Sequence, residues 1–181
     1  MTKLYTKGGD TGRTSICGGE RVEKTDLRVS ACGDTDELNC HIGLLLALMP
    51  QGPDHELLSL TQRHLFLMGT RMPASAASAT ERVGDADLER LEQAIDRLQQ
   101  QTPPPDTFIL PGGCQAAAQS HICRAVCRRA ERTVVELSHK YDIEPLILRY
   151  LNRLSDYFFI LAMNLNFITE TPEKKLYISC K

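Results

Sequence analysis

Apolar residues recur along most of this chain at helical spacing. Leu38, Ile42, Leu45 and Met49 follow one another at intervals of three to four residues and stop at Pro50, which is the stripe of an amphipathic helix. Asp34 followed by Glu37 reads as a capping box at its start. A second helix is predicted from about Asp54 to Arg71. Leu88, Leu91, Ile95 and Leu98 form the clearest stripe, with charges elsewhere, and the run Pro103-Pro104-Pro105 closes it. FILPGG (108–113) reads as a tight apolar loop whose glycines open a fourth helix, running to about Lys140. Pro145 starts a fifth. There Leu151, Leu154, Phe158, Leu161 and Leu165 share one stripe, while Arg149, Asn152, Arg153 and Asp156 take the opposite side. From Tyr157 onward this helix is apolar all round, as the central helix of a bundle would be.

Two stretches break the period. YTKGGDTGRTSICGGERVEK, near the N-terminus, is rich in glycine and hydroxyl side chains; it reads as an extended loop with a short hairpin around a Gly-Gly turn. Pro73 to Thr80 reads as a mobile loop of small residues. The pattern thus predicts an all-α fold, a five-helix bundle with an extended glycine-rich N-terminal loop. It divides into a loop segment over 1–30, the bundle over 31–170 and a tail over 171–181.

Composition narrows the function. The chain has 181 residues, 42% of them hydrophobic, and a formal net charge of -2, so one globular domain is expected and no basic excess favours nucleic acid. Seven cysteines include no CxxC pair. Cys123 and Cys127 are spaced CxxxC, on one helix face, and small-hydrophobe packing is the expected role. The histidines form no HExxH motif. The start, MTKLYTKGGD, lacks the apolar core of a signal peptide, and the longest apolar runs are too short to span a membrane. A reducing cytoplasm is the expected location.

The fourth helix carries the unusual chemistry. CRAVCRRAER (123–132) places Arg124, Arg128 and Glu131 in one narrow arc, with Arg132 at its edge and Arg129 further round. Cys123, Val126, Cys127, Ala130 and Val134 occupy the far side. Two readings stand: a solvated charged face, or a strip facing an anion. The use of arginine without lysine, and the glycine pair at the helix start, favour the anion. The N-terminal loop offers a second set of phosphate-type groups. Lys7, Arg13 and Lys24 are cations, Gly8, Gly9 and Gly12 free the backbone N–H groups, and Thr6, Thr14 and Ser15 bring hydroxyls. The GxxxxGK(S/T) pattern of a Walker A loop is absent. Asp36 and Asn39 lie away from the leucine stripe of the first helix, where a carboxylate can pair with an arginine of the fourth. Nothing resembles a nucleophile–base pair, so an enzyme of this kind needs a substrate that brings its own reactivity.

YTKGGDTGRTS, GDTDELN, FILPGG, CRAVCRRAER and YLNRLSDYFF occur in that order, and together they resemble the PduO-type ATP:cob(I)alamin adenosyltransferases over nearly the whole chain. The resemblance implies transfer of the 5′-deoxyadenosyl group of ATP to the cobalt of a reduced corrinoid, with release of triphosphate. It implies that Thr6, Lys7, Gly8, Gly9, Thr14, Ser15 and Lys24 wrap the phosphates, and that Arg128, Arg129, Glu131, Arg132 and Asn152 complete the ATP site. Mg²⁺ would bridge phosphate oxygens, with its protein ligands unassigned. Arg124 and Asp36 look like the family's ion pair beside the corrinoid, and Phe108 like the residue under the corrin ring. A homotrimer with sites between subunits is implied, served by a flavin-dependent reductase and supplying an adenosylcobalamin-dependent enzyme. Cys32, Asp34 and the tail KLYISCK depart from the family pattern. The competing reading is a non-catalytic ATP-binding regulatory or carrier bundle; a kinase is disfavoured by the lack of a base.

Overall fold

The computed structural model describes residue 5 and residues 7–72 and 82–177. The order of elements is β1 (Arg13–Ser15), β2 (Arg21–Glu23), α1 (Leu27–Leu48), α2 (Pro53–Arg71), α3 (Asp85–Gln101), β3 (Phe108–Leu110), α4 (Gln115–Ser138), α5 (Pro145–Ile168) and β4 (Lys174–Leu176). Five helices make the body of the molecule, as the hydrophobic period predicts. α4 packs along both α5 and α1, α2 flanks α1, and α3 flanks α5. α5 is the central helix: nearly every residue from Tyr157 to Asn166 is buried, and Tyr150, Tyr157 and Phe158 are among the largest fully buried side chains. Truncating such a ring, as in Phe158→Ala, costs about 3–5 kcal/mol.

The polar groups that enter this core are partnered. The Tyr157 hydroxyl donates to Asp54 Oδ1 at 2.8 Å, and Arg97 pairs with the same oxygen at 2.7 Å, which ties α2, α3 and α5 together. The Tyr150 hydroxyl lies 2.9 Å from His64 Nδ1 and 3.3 Å from Thr61 Oγ1. Burial raises both tyrosine pKa values, so each hydroxyl stays protonated. Cys123 and Cys127 are fully buried, the Cys127 thiol donating to the Leu151 carbonyl at 3.2 Å. Burial pushes the Cys123 thiol up to about 12. Both therefore pack as small hydrophobes, as their spacing suggests.

The structure corrects the sequence at three places. α1 begins at Leu27, not at Asp34: Asp26 is its N-cap, accepting the Arg28 backbone N–H at 2.9 Å. The boundary drawn at residue 31 therefore falls inside a helix. Its first turns bury Arg28, Ala31 and Thr35, so they show no leucine stripe. Phe108–Leu110 is a strand and not a loop, paired antiparallel with Lys174–Leu176 so that Phe108 faces Leu176. The tail is thus part of the fold at least to Leu176. The N-terminal hairpin forms as predicted, Arg13 opposite Glu23, with Gly18 and Gly19 at positive φ of 96° and 86° in its turn. Pro73 to Thr80 lies outside the described residues. Among the described residues no helix is long and apolar enough to cross a membrane.

Candidate active site

The glycine-rich loop folds onto itself before the hairpin begins. Lys7 takes a left-handed φ of 58°, Asp10 N–H reaches the Lys7 carbonyl at 3.3 Å and Gly12 N–H the Gly9 carbonyl at 3.2 Å. Two successive turns of this kind draw the stretch into a tight loop. Lys24 returns to this loop: its N–H donates to the Gly12 carbonyl at 2.8 Å, and its Nζ would stand 3.2 Å from a Cβ at Gly9. Gly9 therefore lets the Lys24 ammonium lie directly on the loop. Thr14 and Ser15 sit in β1 opposite Val22 and Arg21. Arg13 is bound to Glu23 at 3.2 Å, Arg21 donates to the Gly8 carbonyl at 2.7 Å, and Lys24 lies against Gly9. Thr6 lies outside the described residues.

A residue the sequence did not single out holds this hairpin in place. Arg28 is buried at the start of α1 and donates to Glu20 at 2.9 and 3.2 Å and to Asp26 at 2.8 and 3.1 Å. Its guanidinium also stacks on the Tyr141 ring, 5.0 Å from the centroid. These bonds hold the Glu20 and Asp26 carboxyls below their usual pKa. The signal for the clamp is faint, a lone arginine two residues after an aspartate.

On α4 the arginines divide. Arg129 turns to α1, where it pairs with Glu37 and approaches Asp34 Oδ1 at 3.6 Å. Asp34 also accepts from Thr133 Oγ1 at 2.5 Å, so it supplies a second carboxylate to the α1–α4 contact. Arg124, Arg128 and Arg132 make no ion pair among the described residues. Arg124 and Arg128 instead line a cavity of about 800 Å³ between α3, α4 and α5. Arg153 in the same wall is already matched, to Glu92 at 3.1 Å and Asp156 at 3.2 Å. The cavity turns apolar toward Pro104, Pro105, Phe159 and Met163, a lining that sequence reasoning missed because Phe159 sits unmarked in an apolar run. Asn152 donates to Glu131 Oε1 at 2.9 Å, joining α5 to the arginine strip. Glu92, Asp96 and Asp156 line the cavity as well; Arg153 takes up Glu92 and Asp156, which leaves Arg124 and Arg128 to hold an anionic group of a large, partly apolar ligand.

Phe108 and Asp36 lie elsewhere. Phe108 is 66% exposed on β3, so it does not staple the loop onto α4. The β3–β4 ribbon beneath it is tied by Lys175 to Asp106 at 2.9 Å and by Thr107 Oγ1 to the Leu176 carbonyl at 3.1 Å. The N-terminus of the helix that follows β3, α4, is locked by Asn166, whose Oδ1 accepts the Cys114 N–H at 2.9 Å. Asp36 is exposed and lines a different cavity, between α1 and α2, with Asn39, Phe66 and Thr70. Within one chain the structure makes no Arg124–Asp36 ion pair. Among the described residues, no group of three or more His, Cys, Asp or Glu side chains is placed to hold a metal ion.

Comparison with known proteins meets this geometry. The family model for cobalamin adenosyltransferase matches residues 4–165. The chain is 43% identical to a cobalamin adenosyltransferase from Cupriavidus metallidurans, over 92% of this chain and 89% of that protein. It is 44% identical to a corrinoid adenosyltransferase from Bacillus subtilis, over 91% of this chain and 86% of that protein. Its fold superposes with a TM-score of 0.91 on a point variant of a PduO-type ATP:corrinoid adenosyltransferase from Lactobacillus reuteri complexed with cobalamin and ATP, at 35% identity over 97% of this chain and all of that one. The chain therefore belongs to the cobalamin adenosyltransferase family, in its PduO type.

Proposed function

We propose that this enzyme transfers the 5′-deoxyadenosyl group of ATP to the cobalt of cob(I)alamin. The cobalt electron pair attacks C5′, a Co–C bond forms as the C5′–O bond breaks, and the bonding pair leaves with triphosphate. Cob(I)alamin is itself the nucleophile, which fits a site without a nucleophile–base pair. What remains for the protein is alignment and stabilisation of the departing charge. The observation that carries this reading is the cavity lined by unpaired Arg124 and Arg128 and continued by an apolar wall.

Lys7, Gly8, Gly9, Lys24 and the hydroxyls of Thr6, Thr14 and Ser15 cradle the phosphates. Arg128 and Arg132 supply cations free of carboxylates, Arg129 closes the strip on its α1 side, and the Glu131–Asn152 pair orders its α5 side. Mg²⁺ would arrive with the phosphates, keeping several waters. Phe108, exposed on a stiff ribbon, covers one face of the corrin and keeps axial ligands away. The chain works as a homotrimer with its sites between subunits. Two features support this: Arg124 and Asp36 line separate cavities of one chain, and Phe66 stands 66% exposed beside Asp36. The hairpin is fixed near Tyr141, past the end of α4 at Ser138, whereas Arg128 lies ten residues earlier, about 15 Å along the axis. A separation of this size fits a nucleotide shared between copies. A cytoplasmic location, a flavin-dependent reductase as source of Co(I), and an adenosylcobalamin-dependent enzyme as recipient complete the proposal.

Anaerobic incubation with ATP and chemically reduced cobalamin tests it. The absorbance change of a new Co–C bond, with triphosphate released in equal amount, is the expected result. ATP binding without either product would leave a nucleotide-binding bundle in its place.

A further inference from the structure

Most bonds of the N-terminal loop and hairpin close that segment on itself: Arg13 to Glu23, Arg21 to the Gly8 carbonyl and the Lys24 N–H to the Gly12 carbonyl. Glu20, between the Gly18–Gly19 turn and β2, reaches out of it. Both of its carboxylate oxygens take donors from the Arg28 guanidinium on α1, at 2.9 and 3.2 Å. Arg28 is itself fixed. Its side chain is 11% exposed, Nε and Nη2 fork onto Asp26 at 3.1 and 2.8 Å, and the guanidinium stacks on Tyr141. Capping α1 does not call for Glu20. Asp26 already accepts the Arg28 backbone N–H, and one carboxylate balances one guanidinium. What Glu20 adds is a tie from the hairpin to a cation held in place by three contacts.

We propose that Arg28 is a positioning residue for ATP: through Glu20 and the adjoining Arg21 it sets where the loop holds Lys7, Gly8 and Gly9 before the nucleotide arrives. The path is short. Arg28 fixes Glu20, and the next residue, Arg21, donates to the Gly8 carbonyl at 2.7 Å and stands opposite Ser15 in the hairpin. Beyond it Val22 is buried, and Lys24 lies against Gly9. A fork onto two carboxylates fixes a plane as well as a distance, which a lysine does not do. A glycine-rich loop without this anchor has to be ordered by the nucleotide itself, and that ordering is subtracted from the binding free energy. With Nε and both terminal nitrogens engaged, Arg28 acts through the hairpin and not on phosphate.

This inference rests on the assignment of the loop to the phosphates, and the test separates the two. ATP binding to the full-length protein without corrinoid is measured by titration calorimetry. Glu20→Ala, a truncation at a largely exposed position, should raise the ATP Kd roughly tenfold. Arg28→Met, which keeps an apolar stem against Tyr141, should do at least as much, and Arg28→Lys should recover only part of the loss. The double variant of Glu20→Ala and Arg28→Met should bind no more weakly than Arg28→Met, because both remove one contact. In turnover with pre-formed cob(I)alamin the ATP KM should rise by the same factor, while kcat at saturating ATP and the corrinoid KM stay near wild type. Amide exchange at Asp10 and Gly12, whose N–H groups bond within the loop, should quicken in Glu20→Ala and slow again with saturating ATP. An ATP Kd unchanged in Glu20→Ala, or a parallel loss of ATP affinity, corrinoid affinity and kcat, would overturn the proposal and leave Arg28 a structural clamp. Lys24→Ala tells the two failures apart. A raised Kd there beside an unchanged one in Glu20→Ala removes only the role of Arg28, whereas no change in either removes the loop from the ATP site. Should Arg28→Met not fold, Glu20→Ala and Arg28→Lys still decide.

Discussion

Arg128 lines the cavity with no carboxylate against it, so removing it strands no buried acid. Arg128→Ala should leave the helical circular-dichroism spectrum and the unfolding midpoint close to wild type while weakening the enzyme. Losing one charge-assisted contact to triphosphate amounts to about 1.5–3 kcal/mol, or tens of fold in ATP affinity or turnover. Steady-state kinetics in ATP measure this, and unchanged KM and kcat would exclude Arg128 as a phosphate ligand. Phe108 permits a sharper division, because a ring this exposed contributes little to stability. Co(II) with an axial ligand is hard to reduce, since the ligand raises the orbital that must take the electron. Phe108→Ala should therefore lose most activity when the assay starts from Co(II) and a mild reductant, and keep much of it with pre-formed Co(I). Equal losses in both assays would reduce Phe108 to a packing role. His121, buried on α4, adds a pH effect whose sign follows from its pKa, which burial and the Arg124 cation lower to about 4 from an ordinary value of 6.5. Between those values the unfolded chain binds more protons than the folded one, so its contribution to stability is complete above pH 6.5 and falls as the pH drops toward 4. Thermal unfolding across that window should show a shallower acid limb in His121→Gln than in the wild type.

At the scale of elements, the join between the β3–β4 ribbon and the bundle rests on one close approach. Gly113 has a φ of 106°, and a Cβ there would stand 2.0 Å from Asn166 Oδ1. Asn166 is itself 1% exposed, and it donates to the Gly112 carbonyl at 3.1 Å and to Glu173 Oε1 at 3.0 Å. Gly113→Ala must therefore both strain the backbone and displace the amide that holds α4, α5 and the tail together. A loss on the order of 2–4 kcal/mol is expected, read as a lower midpoint in urea, with Asn166→Ala giving a comparable loss. A wild-type midpoint in Gly113→Ala would show that the junction relaxes freely. The same elements show what could be read from sequence. α2, α3, α4 and α5 were visible because each keeps an apolar stripe against its neighbours through most of its length. The first turns of α1 were not, because an arginine, an alanine and a threonine are what they bury. The β3–β4 ribbon was hidden for another reason: each strand has three residues, and the partners are separated by all of α4 and α5. No local pattern carries a pairing of that range. The arginine strip and glycine loop were plain as residue types, yet the split between Arg129, tied to α1, and the unpaired Arg124, Arg128 and Arg132 depends on which carboxylates α1 brings across.

For the whole molecule the question is whether the proposed Arg124–Asp36 pair is made between chains. In one chain they face different cavities, one between α3, α4 and α5 and the other between α1 and α2, so a pair between them belongs to an assembly. A cyclic trimer with heterologous contacts repeats one interface three times and sets the Arg124 face of each subunit against the Asp36 face of the next. Arg124→Ala and Asp36→Ala should each cost most of the activity, because a charge buried at an interface without its partner is penalised by roughly 3–5 kcal/mol. Mixed assemblies then distinguish contact within a chain from contact between chains. When the two inactive variants are unfolded together and refolded, some interfaces join an intact Arg124 from one chain to an intact Asp36 from the other. For random mixing at equal amounts this is about one site in four. Activity should therefore reappear in the mixture at about that share of the wild-type level, and should be absent when either variant is refolded alone. Size-exclusion chromatography with light scattering should give the active species a mass of three chains. If the pair formed within one chain, every site in the mixture would lack one partner and no activity would return. Silence in the mixture, with trimers formed and ATP still bound, would place the two residues in separate roles.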